Sequence, residues 1–338
     1  MLIDYINYTP YFSNPLSLTT NGSFNSNTTG DSQGIPESAS LLWTFLIPAA
    51  IFSIVTLLAN PMILVSILLK DTLRNETRYI LLANVMVSDL IFILFNSIIS
   101  MSNAIRWYMH RVLCFSLISF TVAAYSSCVL TFTIMVVDTY VAICFPLHYY
   151  SILSMKRTRK ILLAIWIFSA LFPLIVSLAS ETFDYNLLEK QNVCLMLYYG
   201  SDERNNILVT VVCALTICFL MFCSVMITYF YIKLYAITRK SGIWVSRFSR
   251  ARITLLTHFI LLGLYIVPAF ILTAEVMLFK NSVIGIDTRI WMSACNNGLV
   301  MMMPRALSPL LYGLRYREIY ATLKHWFSRN RVSSDSYR

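Results

Sequence analysis

Apolar positions in this chain gather into seven long runs, at 41–69, 79–102, 112–137, 161–180, 206–237, 253–279 and 290–314, parted by short polar or basic stretches. Each run can cross a hydrocarbon layer of about 30 Å, which takes roughly 20 helical residues. The runs are uniformly apolar and lack the alternation of barrel strands, so helices are expected, their backbone hydrogen bonds closed within each segment. The pattern predicts an all-α membrane protein, a seven-transmembrane helix bundle at 41–314. A polar tail at 1–40 precedes it, and a short amphipathic C-terminal helix with a cytoplasmic tail at 315–338 follows.

Polar residues inside the runs then change the picture. Asn60 lies ten residues before Lys70, Asp89 eleven after Arg78, and Arg305 ten before Arg315. At about 1.5 Å per residue these three share a depth of ~15–17 Å from one edge. Ionisable groups in a bilayer are costly and pair with one another or line a watery cavity, so an Asp89–Arg305 ion pair with Asn60 nearby is expected. The alternative is an Arg305 that snorkels along a shifted last helix. Asp138 marks the far end of the third run, 24 residues after Cys114, and Pro146 closes the stretch that follows.

Composition agrees with a polytopic membrane protein: 58% hydrophobic and 12% charged residues with a mean hydropathy of +0.68. The net charge of +10 would suggest nucleic acid in a soluble chain, but here the basic residues sit in alternate connecting segments, so no nucleic-acid partner is expected. One side carries Lys70, Arg74 and Arg78, then Lys156, Arg157, Arg159 and Lys160, then six more basic residues between Lys233 and Arg252, and finally the tail. That side is expected to be cytoplasmic, with the N-terminus extracellular. Sequons at Asn7, Asn21 and Asn27 then face a compartment where glycosylation occurs. No basic start and short apolar core precede a cleavage site, so the first run is expected to direct insertion. Cys114 and Cys194 both fall on the outer side, where disulfides form, and are expected to be bonded; the other six cysteines are expected to be reduced. In the segment RYREIYATLKHWF that follows Leu314, Tyr316, Ile319, Tyr320, Leu323 and Phe327 share one face. It suits a helix lying on membrane lipid, with Arg317 and Lys324 toward headgroups.

Several landmarks together carry a family resemblance. Asn60, the LANVMVSDL stretch holding Asp89, Cys114, DTYVAICFPLHY from Asp138, Trp166 and SPLLY from Ser308 to Tyr312 resemble the landmarks of rhodopsin-like G protein-coupled receptors. Within that class VAICFPLHY, THF at Thr257 with LY at Leu264, and GLRYREI resemble odorant receptors, particularly the fish-type branch. The resemblance implies a small-molecule odorant held in the outer half of the bundle and a heterotrimeric G protein, of the stimulatory olfactory type, at the inner ends of helices 3, 5 and 6. It also implies the plasma membrane as location. On the matching positions, Asp138, Thr139, Tyr140, Tyr229, Ser308, Pro309 and Tyr312 would serve coupling and activation, and Tyr265 would lie beneath the ligand.

By helical spacing, Thr121, Tyr125 and Ser126 fall one to three turns below Cys114, and Leu272 and Thr273 lie above Tyr265. Together they suit a small organic ligand held mostly by burial. Glu275 and Asp287 lie near the outer mouth and read first as solvated loop charges, with attraction of a cationic ligand as the alternative.

Two departures from the family pattern matter. Thr139 stands where the family has an arginine, which removes a cation that bonds the adjacent acid and contacts the G protein, and Ser308 stands where the family has asparagine. A receptor-like binding protein with weak or no coupling therefore stays open, as does a small-solute transporter using Asp89 and Arg305. There is no Gly-rich phosphate loop, GxSxG or HExxH, and His110, His148, His258 and His325 are scattered, so no enzyme, cofactor or metal is expected. The sequence carries no sign of oligomeric state.

Overall fold

The computed structural model describes residues 37–104, 107, 109–182, 190–191, 194, 203–240 and 248–315. The sequons at Asn7, Asn21 and Asn27 and the amphipathic segment 316–338 lie outside the described residues.

Among the described residues, six helices are long and apolar enough to cross a membrane: α1 (Glu37–Leu69), α2 (Thr77–Ala104), α3 (Arg111–Cys144), α4 (Met155–Thr182), α5 (Glu203–Lys240) and α6 (Phe248–Lys280). A seventh traverse is assembled from α7 (Ile286–Cys295), a π-helical turn at Asn296–Val300 and α8 (Met302–Arg315). The bundle is turned inside out relative to a soluble protein. Ile51, Ile54, Leu58, Leu68 and Leu69 on α1 and Leu163, Ile167, Leu174 and Ile175 on α4 are exposed, while Asn60, Asp89, Ser127, Thr131 and Arg305 are buried. A hydrocarbon solvent accounts for both halves of that inversion, since lipid accepts leucine and rejects an unpaired charge.

The centre of the bundle is α3, which touches α2, α4, α5 and α6. Its inward face, Cys128, Val129, Phe132, Met135 and Val136, packs with Leu81, Leu82, Val85 and Met86 of α2, Leu220, Cys223 and Ile227 of α5, and Leu261 and Tyr265 of α6. Hydroxyls along these helices bond the carbonyl one turn back, as Thr56 does to Phe52 O (2.8 Å), Ser66 to Met62 O (2.8 Å) and Ser224 to Leu220 O (2.8 Å). Such back-bonding lets Ser and Thr sit at membrane depth without an orphaned donor.

Three features differ from the sequence pattern. The third run was expected to end at 137, but α3 continues to Cys144 and stops only before Pro146. Apolarity marks the lipid-facing length, whereas helical hydrogen bonding persists into the interface until a proline ends it. The last run is not one regular helix: Met301 N–H reaches back five residues to Asn296 O at 2.8 Å, the π spacing. A two-stranded antiparallel pair, β1 (Met109–His110) with β2 (Lys190–Gln191), adds a little strand to otherwise helical described residues, with Met109 opposite Gln191 and His110 opposite Lys190. It ties the loop after α4 to the start of α3, beside the Cys114–Cys194 disulfide.

Candidate functional site

At mid-depth four helices converge on one carboxylate. Asp89 of α2 is fully buried and accepts from Tyr265 Oη of α6 at 2.7 Å. Arg305 of α8 brings Nε to 3.5 Å from Asp89 Oδ1, and Cys128 Sγ of α3 lies 3.7 Å from the same oxygen. Ser308 Oγ sits 3.5 Å from Asp89 Oδ2 and 3.4 Å from Arg305 O, and its single proton serves one of them at a time. The shortest of these contacts is the tyrosine bond, so Asp89 is held to α6 by a charge-assisted hydrogen bond and to α8 by charge.

Arg305 is 1% exposed. Its guanidinium carbon stands 3.5 Å from the Phe92 ring centroid, and the rings of Tyr125 and Tyr265 flank it at 5.6 and 5.4 Å. Nη1 donates to Met301 O. A buried guanidinium loses several kcal/mol of hydration, and here the carboxylate, an aromatic face worth about 2 kcal/mol when desolvated and a backbone carbonyl offset it. Nε and Nη2 still lack a hydrogen-bond acceptor. Tyr125 donates its hydroxyl to Tyr265 O, so α3 grips the backbone of α6 where α6 grips Asp89. Pro268 lies three residues further along α6 and removes one of its backbone donors. Asn296 of the π turn donates to Pro268 O at 3.0 Å.

Asn60 was expected to join this group. It is fully buried, but neither Nδ2 nor Oδ1 has a hydrogen-bond partner, because equal depth does not set the direction in which a side chain of α1 points. A separate polar ladder joins α2, α3 and α4: Asn84 Nδ2 donates to Thr131 Oγ1 at 2.8 Å, Trp166 Nε1 donates to Asn84 Oδ1 at 2.9 Å, and Ser88 Oγ bonds Ser127 Oγ at 3.2 Å. Sequence reasoning missed this ladder. Its signal was the matched spacing of four between Asn84 and Ser88 and between Ser127 and Thr131, which puts each pair on one helical face.

Toward the disulfide, where Cys114 and Cys194 bring their Cα atoms to 5.6 Å, lie the residues expected to meet a ligand. Leu272 packs on the cluster of Phe92, Ile93, Ala124, Met301 and Met302, as Tyr125 does. Thr121 and Thr273 are buried and donate to their own helices, at Leu117 O (2.8 Å) and Ala269 O (2.7 Å), so only their lone pairs are available to a guest. Ser126 is half-buried. Glu275 is not the solvated loop charge expected: it is 1% exposed within α6, and Arg289 Nε of α7 lies 3.6 Å from its Oε1. The reason is the side of the helix on which it stands: Glu275 lies inside the expected run at 253–279, and its side of α6 faces Arg289 of α7 instead of solvent. The side chain of Asp287 lies outside the described residues.

At the opposite end, Tyr149 Oη donates to Asp138 Oδ1 at 2.7 Å. Burial, with the Asp138 carboxylate beside it, raises the Tyr149 phenol above its ordinary range, so it stays a proton donor at neutral pH. Thr139 donates to Met135 O at 2.8 Å within its own helix, and Asp138 is met by the Tyr149 hydroxyl and by the charge of Arg78. Tyr140 packs on Phe230 at 5.1 Å. Tyr229 is half exposed, edge-on to Phe230, with Lys233 Nζ 5.7 Å from its ring. Ser308 and Pro309 are buried, and the Tyr312 side chain lies outside the described residues.

Residues 59–312 match the family described as 7 transmembrane receptor (rhodopsin family). The chain is 35% identical over 289 residues to Probable G-protein coupled receptor 148 of Homo sapiens, covering 85% of this chain and 83% of that protein. It is 29% identical over 285 residues to Odorant receptor 131-2 of Danio rerio, covering 80% and 82%. It is 23% identical over 320 residues to Olfactory receptor 4E2 of Mus musculus, covering 86% and 92%.

Proposed function

Because the chain belongs to the rhodopsin family of seven-transmembrane receptors, we propose that it is an odorant-type receptor that converts small-molecule binding into activation of a heterotrimeric G protein. The observation that carries this reading is the Asp89 centre, where α2, α3, α6 and α8 meet beside the candidate ligand residues Tyr125, Tyr265 and Leu272. A guest pressing on Tyr125 acts on Tyr265 O, and Tyr265 Oη is bonded to Asp89. Exchange of that bond frees α6 to move relative to α3, and the free energy for the shift comes from the ligand's stronger binding to the shifted state.

On this reading the disulfide end is extracellular and the Asp138 end faces the cytoplasm across the plasma membrane, as the distribution of basic residues supports. The likeness to Odorant receptor 131-2 supports an odorant ligand, and a stimulatory olfactory-type G protein is what the resemblance of the motifs to odorant receptors implies. Asp138, Tyr140, Tyr229, Ser308, Pro309 and Tyr312 would act in coupling, and Thr121, Ser126 and Thr273 would line the ligand site.

A second reading, binding with weak coupling, is favoured by one observation: Thr139 supplies no charge and spends its hydroxyl on Met135 O. Ligand-evoked cyclic AMP in cells carrying the wild-type chain or Thr139→Arg, with surface display matched, separates the two. A wild-type response to a broad odorant panel is expected. A response from the arginine variant alone favours the second reading, and silence from both at full display contradicts the receptor proposal.

A further inference from the structure

Near the disulfide end a buried ion pair is balanced in charge but not in hydrogen bonding. Glu275 Oε1 faces Arg289 Nε at 3.6 Å, with both side chains at most 10% exposed. The Arg289 guanidinium carbon is held 4.4 Å from the Phe279 ring centroid, which fixes the cation on the Oε1 side. Glu275 Oε2 is fully buried and has no hydrogen-bond partner. Lys280, five residues on, donates to Thr210 of α5. Leu272 stands one turn below Glu275 on the same face of α6, ~4.5 Å along the axis, and Thr273 is beside it.

A carboxylate whose charge is already met by arginine does not need a second cation. An ammonium brought to Oε2 would lie near Arg289 and be repelled by it. What is unmet is one acceptor, and a buried acceptor without a donor is costly. An uncharged O–H or N–H meets it with a charge-assisted hydrogen bond and leaves the pair neutral.

We propose that Glu275 Oε2 is the polar anchor of the ligand site and that it selects uncharged ligands carrying a hydroxyl, in preference to amines or to ethers of the same skeleton. The proposal rests on the ligand site placed beside Leu272 and Thr273 above, but not on G protein coupling. The apolar stretch from Leu272 to the Phe92, Met301 and Met302 cluster takes the rest of such a molecule by burial.

The test uses the full chain, solubilised from membranes, and reads binding as ligand-induced thermal stabilisation. The probes are matched sets of six- to twelve-carbon primary alcohols and phenols, their methyl ethers, and the corresponding primary amines. In the wild type, at least one alcohol or phenol is expected to bind roughly tenfold or more tightly than its ether and its amine. In the double variant Glu275→Leu with Arg289→Leu, which removes the pair as a unit, alcohol and ether become equal within about threefold. Arg289→Leu alone bares the carboxylate and turns the preference toward the amine.

Equal binding of alcohol and ether, preference for the amine in the wild type, absence of any alcohol binding, or an alcohol preference that survives the double variant each overturns the proposal; the last would mean that Oε2 holds trapped water only. Alcohol binding without nucleotide exchange sinks the coupling reading and leaves this one standing. Exchange evoked only by compounds without a donor does the reverse.

Discussion

Among single residues, the partners of Asp89 decide how the middle of the bundle is held. Removing one charge of a buried pair strands the other, so Asp89→Asn and Arg305→Leu are each expected to lower stability by about 3–5 kcal/mol. The double variant should lose less than the sum of the two, by ~1 kcal/mol or more. Melting curves of the solubilised chain read this, and strict additivity would show that the 3.5 Å contact carries no coupling. The meeting of Asp89 and Arg305 was legible in the sequence because helical rise turns residue counts into depth. Their other partners were not. Nothing in a count of depth says that Phe92 lies under Arg305, that Tyr265 rather than Asn60 bonds Asp89, or that Glu275 turns inward. Those facts depend on the rotation of each helix about its own axis and, for Phe92 and Tyr265, on contacts between runs more than a hundred residues apart.

Among elements, the interrupted seventh traverse is the one that sets two sites at once. Asn296–Val300 carries the π spacing, and on either side of it Arg289 pairs with Glu275 and Arg305 with Asp89. Deleting Gly298 should return the turn to α spacing and rotate α7 against α8 by ~100°. Both pairs cannot then be kept, and the deletion is expected to lower the melting temperature far more than Gly298→Ala does. Equal melting of the two variants would show that the π turn does not set the phase of the pairs. All seven traverses were legible as apolar runs, since lipid imposes length and composition. The π turn was not, because it is one residue of extra backbone, and the Asn296, Asn297 and Gly298 within it fit an ordinary helical turn as well. The β1–β2 pair was equally hidden, being two residues long on each side. The disulfide beside it was foreseen from the side of the membrane alone, and closes a separation of 80 residues. Cys114→Ala, Cys194→Ala and their double variant are expected to lose the same stability, of order 2–5 kcal/mol. A further loss in the double variant would contradict a shared bond.

For the whole molecule, the helices form two layers of attachment along the bundle. One is the static ladder of Asn84, Ser127, Thr131 and Trp166, which joins α2, α3 and α4 through neutral hydrogen bonds. The other is the Asp89 centre, which joins α6 and α8 to that scaffold through a proline-containing helix and a charge pair. A receptor needs one part that stays and one that moves, and the moving part is expected to be α6, released when Tyr265 leaves Asp89. The most direct test is basal nucleotide exchange on a stimulatory olfactory-type G protein by membranes carrying Tyr265→Phe, compared with the parent chain at equal display. Both are made in the wild-type and Thr139→Arg backgrounds so that a weak coupling motif does not hide the effect. Ligand-free exchange is expected to rise by about tenfold or more when the Tyr265 hydroxyl is removed, because a bond to a carboxylate worth about 1.5–3 kcal/mol no longer holds α6 at rest. Exchange that stays unchanged or falls in both backgrounds would contradict the Asp89 centre as the switch.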